Sequence, residues 1–364
     1  GLRNVEQMCF SSTGLLAQVV QDARDYFNGK GVKYRADVGP GFYTIGPRDT
    51  QSDLCQCADC QSKISRAPWP YFTSGKSSEL VWSFVNEVAR QVRQTHPEAK
   101  IACFGYFDYA YFPTNVALDV NAIYSGSCLH TANWWAPAME KNDLACYKQW
   151  VEKLPRGGQI CVWMYQCFPW ENGQTQGFKV FPSWHAHTID RQIKMFAEDG
   201  IRGVFVCGQV THYIDGYLTL KLMDDPTPDV DALLDEFFTR FYGAAAEPMK
   251  QLYLAMEKTF MGTENYPEDV QKGLTAPHQS EEIAWKYLGT TERMAQFQAL
   301  LVEAKAKADT EQAKRRVAAF EKDIWQHMLD GKARWDVKTR YAEEVAALKE
   351  APPRALGTIP CVTE

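Results

Sequence analysis

Short apolar, β-rich runs alternate with helical patterns over roughly the first 220 residues, and this rhythm constrains the chain more than any other feature. The runs are "VEQMCFS" (5–11), "FYTIG" (42–46), "KIACFGYF" (100–107), "DVNAIYS" (119–125), "QICVWMY" (159–165) and "RGVFVCG" (202–208). Amphipathic helices are predicted between them, near 14–28, 77–95, 142–154 and 185–199. In the second, Leu80, Val81, Phe84, Val85, Val88 and Val92 recur at helical spacing, and Pro97 follows as a stop. Pro155 with Gly157 and Gly158 ends the third. Such alternation predicts a parallel sheet covered by helices, and strands apolar on both faces fit that burial.

Six strands can make an open doubly wound sheet or most of an eight-stranded barrel. "CFSSTGLL", after the first run, has neither glycine-rich phosphate-loop pattern, which favours a (β/α) TIM-type barrel over a nucleotide-binding sheet. The pattern changes at "MDDPTPDVDALL". Beyond it helical periodicity runs over 229–242, 247–260, 280–288, 291–308 and 311–347. We therefore expect a barrel-type domain over 1–224 and a helical bundle over 225–364, with an irregular tail.

A net charge of −6 argues against a nucleic-acid or anionic-membrane partner. No run approaches the length of a membrane-spanning helix. The 11 Trp and 17 Tyr suit a cleft that stacks flat polar ligands such as sugars, and they equally suit core and rim packing.

The cysteines number 11, and they form no dense disulfide framework. Cys9, Cys103, Cys128, Cys146, Cys161, Cys167 and Cys207 lie in apolar segments, where a free thiol acts as a small hydrophobe. Cys55, Cys57 and Cys60 differ: C-x-C-x-x-C can set three thiolates on one soft metal, a structural zinc, with a fourth ligand such as His130 or Cys128. A disulfide with one free thiol, or three reduced thiols, fits the same spacing.

Several stretches together resemble a bacterial family, domain of unknown function 4838, whose members are grouped as glycoside hydrolase family 163. They are "QMCFSS", an Asp49…C-x-C-x-x-C segment, "FVNEVA" (84–89), "PTNVAL" (113–118), the Trp163-x-Tyr165 pair, "GIRGVF" (200–205), "LMDDPTPD" and "EFFTRFYGAAAEPMKQLYLAME" (236–257). The resemblance implies endo-β-N-acetylglucosaminidase-type action on glycans that contain N-acetylglucosamine, with no cofactor for catalysis and an exported location, periplasmic or extracellular. It also implies that two barrel strands precede this chain.

In that frame Asp49 follows the fourth barrel strand, where it can donate a proton or orient the substrate's acetamido group. Asp49 can equally cap a turn. Arg48 stands where the family has Asn, and a cation there would lower the Asp49 pKa. Glu171 is the acid nearest the end of the next-to-last strand and the second catalytic candidate. Tyr106, Asp108, Tyr109, His130, Trp134, Trp163, Tyr165, His212 and Tyr213, at strand ends, form the expected substrate floor, with rim packing the alternative for each. Met164 replaces the family's Asp and Val206 its Glu. Those departures favour a second reading, a catalytically degenerate glycan-binding barrel. A third, a metal-dependent enzyme built on the cysteines, needs further ligands. His185 and His187 are expected on a solvated face or beside a helix cap.

Overall fold

A computed structural model describes residues 7–30, 41–48, 54–69, 71, 73–156, 160–167, 169–208, 213–272 and 279–350, without the side chains of 171–172 and 348–350. The described elements run α1 (Thr13–Phe27), β1 (Phe42–Thr44), α2 (Ala58–Gln61), α3 (Ser78–Arg93), β2 (Lys100–Gly105), β3 (Ile123–Leu129), α4 (Pro137–Lys153), β4 (Ile160–Tyr165), α5 (Trp170–Gln176), α6 (Ala186–Asp199), β5 (Gly203–Cys207) and α7 (Tyr213–Asp224). After these come α8 (Val230–Tyr242), α9 (Ala246–Met261), α10 (Glu268–Gln271), α11 (Thr291–Lys307), α12 (Glu311–Phe320) and α13 (Gln326–Glu350), with π-helical turns at Ile283–Leu288 and Glu321–Trp325.

All neighbouring strands are parallel, and their spatial order β1-β2-β3-β4-β5 is their chain order. A doubly wound sheet reverses direction once, at a switch point; this one never does. Right-handed crossovers without a reversal leave the helices on one side. The sheet curls as an open half-barrel, a partial TIM-like arrangement.

The register sorts the two faces, because side chains alternate along each strand. Ile101, Ile123, Leu129, Val162 and Met164 lie under the helices in the hydrophobic core. Phe42, Phe104, Tyr124, Trp163 and Phe205 share the inner face. There Phe42 stacks on Tyr124 at 5.2 Å, Phe104 meets Trp163 edge-on at 5.6 Å, and Trp163 lies 4.3 Å from Phe205. Phe205 is 52% exposed, so among the described residues no strand covers this face from the other side as one would in a closed barrel.

Two expectations need correction. The described part of the first predicted strand, Gln7–Ser11, is not a strand, so the described sheet has five strands rather than six. The strand predicted at 119–125 begins later, at Ile123, and runs through Leu129. Asp119 instead makes a turn, held by Arg93 (2.6 Å) and by the Asn86 side chain, which accepts its N–H. The small residues of "SGSC" look like a loop locally. Here they let Phe104 and Cys161 pack against Gly126, whose missing Cβ they would meet.

Helices after Pro226 share one core with the sheet: Leu129, Val162 and Phe196 belong to the same apolar cluster as Phe238, Met256, Trp285 and Phe320. Trp135 stacks on Tyr266 at 3.5 Å across that contact. Among the described residues, no helix is long and apolar enough to cross a membrane.

Candidate functional site

Parallel strands put all their C-terminal ends on one rim, where barrel sites form. Tyr106 follows β2 and shares a side-chain hydrogen bond with Tyr165 at the end of β4. His130 follows β3 and stacks on Tyr165 at 5.6 Å and 12°. The inner-face Trp163 lies 5.4 Å from Tyr165. Thus Tyr106, His130, Trp163 and Tyr165 are brought together. Burial pushes the Tyr165 hydroxyl pKa well above its usual value, so it remains a neutral donor.

Asp143, on α4, organises this group and was not singled out in the sequence. Its Oδ2 accepts the backbone N–H of His130 (2.8 Å) and the Trp134 indole N–H (2.9 Å), and Oδ1 lies 3.2 Å from His130 Nδ1. A carboxylate only accepts, so Nδ1 of His130 carries the hydrogen in this contact. The signal for Asp143 was an acid inside the apolar stripe Met139, Tyr147, Trp150 of one helix.

The other candidates scatter. Asp108 sits at the rim beside the start of α3; its Oδ2 accepts the Ser77 hydroxyl (2.6 Å), and burial raises its carboxyl pKa. Phe107, next to it, has φ of 51°, a left-handed backbone. Tyr109 is buried, edge-on to Tyr106. The Trp134 ring is buried in the core. Tyr213 is exposed on the first turn of α7. Asp49 and His212 lie outside the described residues, as does the side chain of Glu171, whose backbone is in α5. Met164 and Val206 pair with each other on the helix-facing side, so their lack of carboxylates does not alter the inner face.

His185 is not on a solvated face but does stand at a helix cap: it is the N-cap residue of α6 and is fully buried with Asp215, Nδ1 to Oδ2 3.6 Å. His187 lies 2.9 Å from Glu257 and 3.5 Å from Asp231, joining α6 to α9 and α8.

Beside the β1 end of the rim, the Sγ atoms of Cys9, Cys55, Cys57 and Cys60 all lie within 4.8 Å of one another. Cys9 is 3.7 Å from Cys57 and 3.8 Å from Cys60. The fourth member is therefore Cys9, not Cys128 or His130: Cys128 belongs to β3 and His130 to Asp143. Nor is Cys9 the plain hydrophobe expected from its segment. No local pattern marks it, because its partners are about 50 residues away in the chain. Cys57 caps the short α2; the Cys60 N–H points at its sulfur (3.4 Å) and pulls its pKa down to about 7. Cys60 Sγ donates to Ser11 Oγ at 3.2 Å. A four-cysteine cluster of this kind can bind a metal ion.

Comparison with curated proteins gives no match, and comparison with solved structures gives none. A family model with the description "Domain of unknown function (DUF4838)" matches residues 1–255 of the 364. With most of its length matched, including the half-barrel and the four cysteines, the chain belongs to the DUF4838 family.

Proposed function

We propose that the protein is a glycoside hydrolase-like barrel protein that acts on glycans containing N-acetylglucosamine. The observation carrying this reading is the joining of Tyr106, His130, Trp163 and Tyr165 at the ends of three successive strands. Rings with polar edges suit a hexose, whose apolar face stacks while its hydroxyl and acetamido groups hydrogen-bond. Hydrolysis adds water across the glycosidic C–O bond: the hydroxyl goes to the anomeric carbon and a proton to the leaving oxygen. Asp49 takes the role of proton donor or acetamido orienter. Asp108, with its pKa raised by burial, is a second carboxyl suited to holding a proton. On this reading the protein works outside the cytoplasm, as the family resemblance implies.

The test is incubation of the protein with a glycoprotein carrying complex N-glycans, with released glycan measured by mass spectrometry. Release that Asp49→Asn abolishes supports the reading. Binding without release converts it to a glycan-binding barrel, and neither binding nor release ends the carbohydrate assignment.

The four thiolates, on this reading, hold one structural zinc ion. Sulfurs about 2.3 Å from a tetrahedral zinc lie about 3.8 Å from one another. The distances from Cys9 to Cys57 and Cys60, 3.7 and 3.8 Å, fit that edge and are far too long for a disulfide.

A further inference from the structure

Gln7 and Cys9 stand two residues apart before α1 and reach two different parts of the rim. The Gln7 side-chain amide treats Arg48 as a neighbouring strand would. Its Nε2 donates to the Arg48 carbonyl (2.9 Å), and its Oε1 accepts the Arg48 N–H (3.2 Å). Arg48 lies just beyond β1, which has three residues and pairs with β2. Cys9 meanwhile joins Cys57 and Cys60, 48 and 51 positions along the chain. Just after these two grips, Phe10 packs edge-on against Phe84 at 5.1 Å, and Ser12 caps α1 by accepting the Leu15 N–H.

We propose that the four-cysteine centre is a metal clasp: one soft divalent cation, of the zinc class, bound by Cys9, Cys55, Cys57 and Cys60 holds the Gln7–Ser12 segment against the end of β1 and so fixes that edge of the rim. The inference rests on the zinc reading above and adds a structural consequence to it.

The reason is one of balance. Closing a loop of this length costs conformational entropy, which two neutral hydrogen bonds from one side chain offset only weakly. Thiols without a metal add weak S–H contacts alone. A metal that joins ligands from both segments makes its binding free energy available for closing the loop. The clasp also explains why an irregular segment can lie at a sheet edge where another strand was expected.

The test uses the full chain, prepared reduced with zinc and again after chelation. Elemental analysis gives metal per chain, and amide exchange is followed at Arg48, at Gln7–Ser12 and, as a control, at α9. The expected result is one zinc per chain and, after its removal, about tenfold or faster exchange at Arg48 and Gln7–Ser12 with α9 unchanged. Gln7→Ala should keep the zinc and free only the Arg48 amide, while Cys9→Ser should lose both. If Cys9→Ser does not fold, chelation of the unaltered protein answers the same question. Bound zinc whose removal leaves Arg48 and Gln7–Ser12 unchanged overturns the clasp and leaves the zinc reading standing. Reduced protein that takes up no zinc overturns the zinc reading itself.

Discussion

The carboxylate of Asp143 holds His130 at two points, its backbone N–H at 2.8 Å and its ring Nδ1 at 3.2 Å. Helix α4 thereby sets both the position and the ring orientation of a residue at the end of β3. Both residues are buried, so water cannot take over either bond.

Replacing Asp143 by Ala leaves the His130 and Trp134 N–H groups buried without their acceptor. Loss of a buried, hydrogen-bonded charge costs roughly 3 kcal/mol or more. Urea unfolding should report a loss of that order, and Asp143→Asn, which keeps one carbonyl acceptor, should lose less.

Glycan binding should depend on the inner-face rings. Trp163→Ala removes the ring that touches Phe104, Tyr165 and Phe205, and should weaken binding about tenfold or more if a hexose stacks there. Calorimetric titration with a complex N-glycan measures this, and circular dichroism checks that the fold survives. Unchanged affinity in a folded variant would move the sugar site away from Trp163.

Stability should fall with rising pH through the His187 titration. Its hydrogen bond to Glu257 raises its pKa from 6.5 to about 9, against an opposing effect of burial. A group whose folded pKa is raised contributes fully below its unfolded value, here 6.5, and loses that contribution as pH passes about 9. The side chain is 48% exposed, so solvent screens the effect and the slope will be shallow. Unfolding free energy measured from pH 6 to 10 should show this slope in the unaltered protein and a flatter one in His187→Ala.

A methyl group at Gly126 has no room. Its Cβ would run into the Phe104 ring and lie 3.1 Å from Cys161 Sγ. Displacing Phe104 also disturbs its edge contact with Trp163. Gly126→Ala should therefore destabilise by roughly 1–3 kcal/mol, read by thermal or urea unfolding.

The strand–helix alternation and the helical periodicity after Pro226 were both legible, because each is written within a few residues of itself. So was the capacity of Cys55, Cys57 and Cys60 to share one metal ion, since the three lie within six residues of one another. The extent of β3 was not. The serines and glycine of its middle, Ser125 to Ser127, carry little strand propensity, and what makes them a strand is the Phe104 ring and the neighbouring β2 and β4.

The sequence by itself determined the kind of layers this chain builds, because side-chain period selects strand or helix and parallel strands need covering helices. Only the tertiary structure decided which distant groups meet: Cys9 with the three later thiols, Asp143 with His130, His187 with Glu257. The difference is physical. Local periodicity expresses backbone geometry over neighbouring residues, whereas these contacts exist only once loops have closed and the sheet has curled. Nothing in either residue's own neighbourhood specifies its partner.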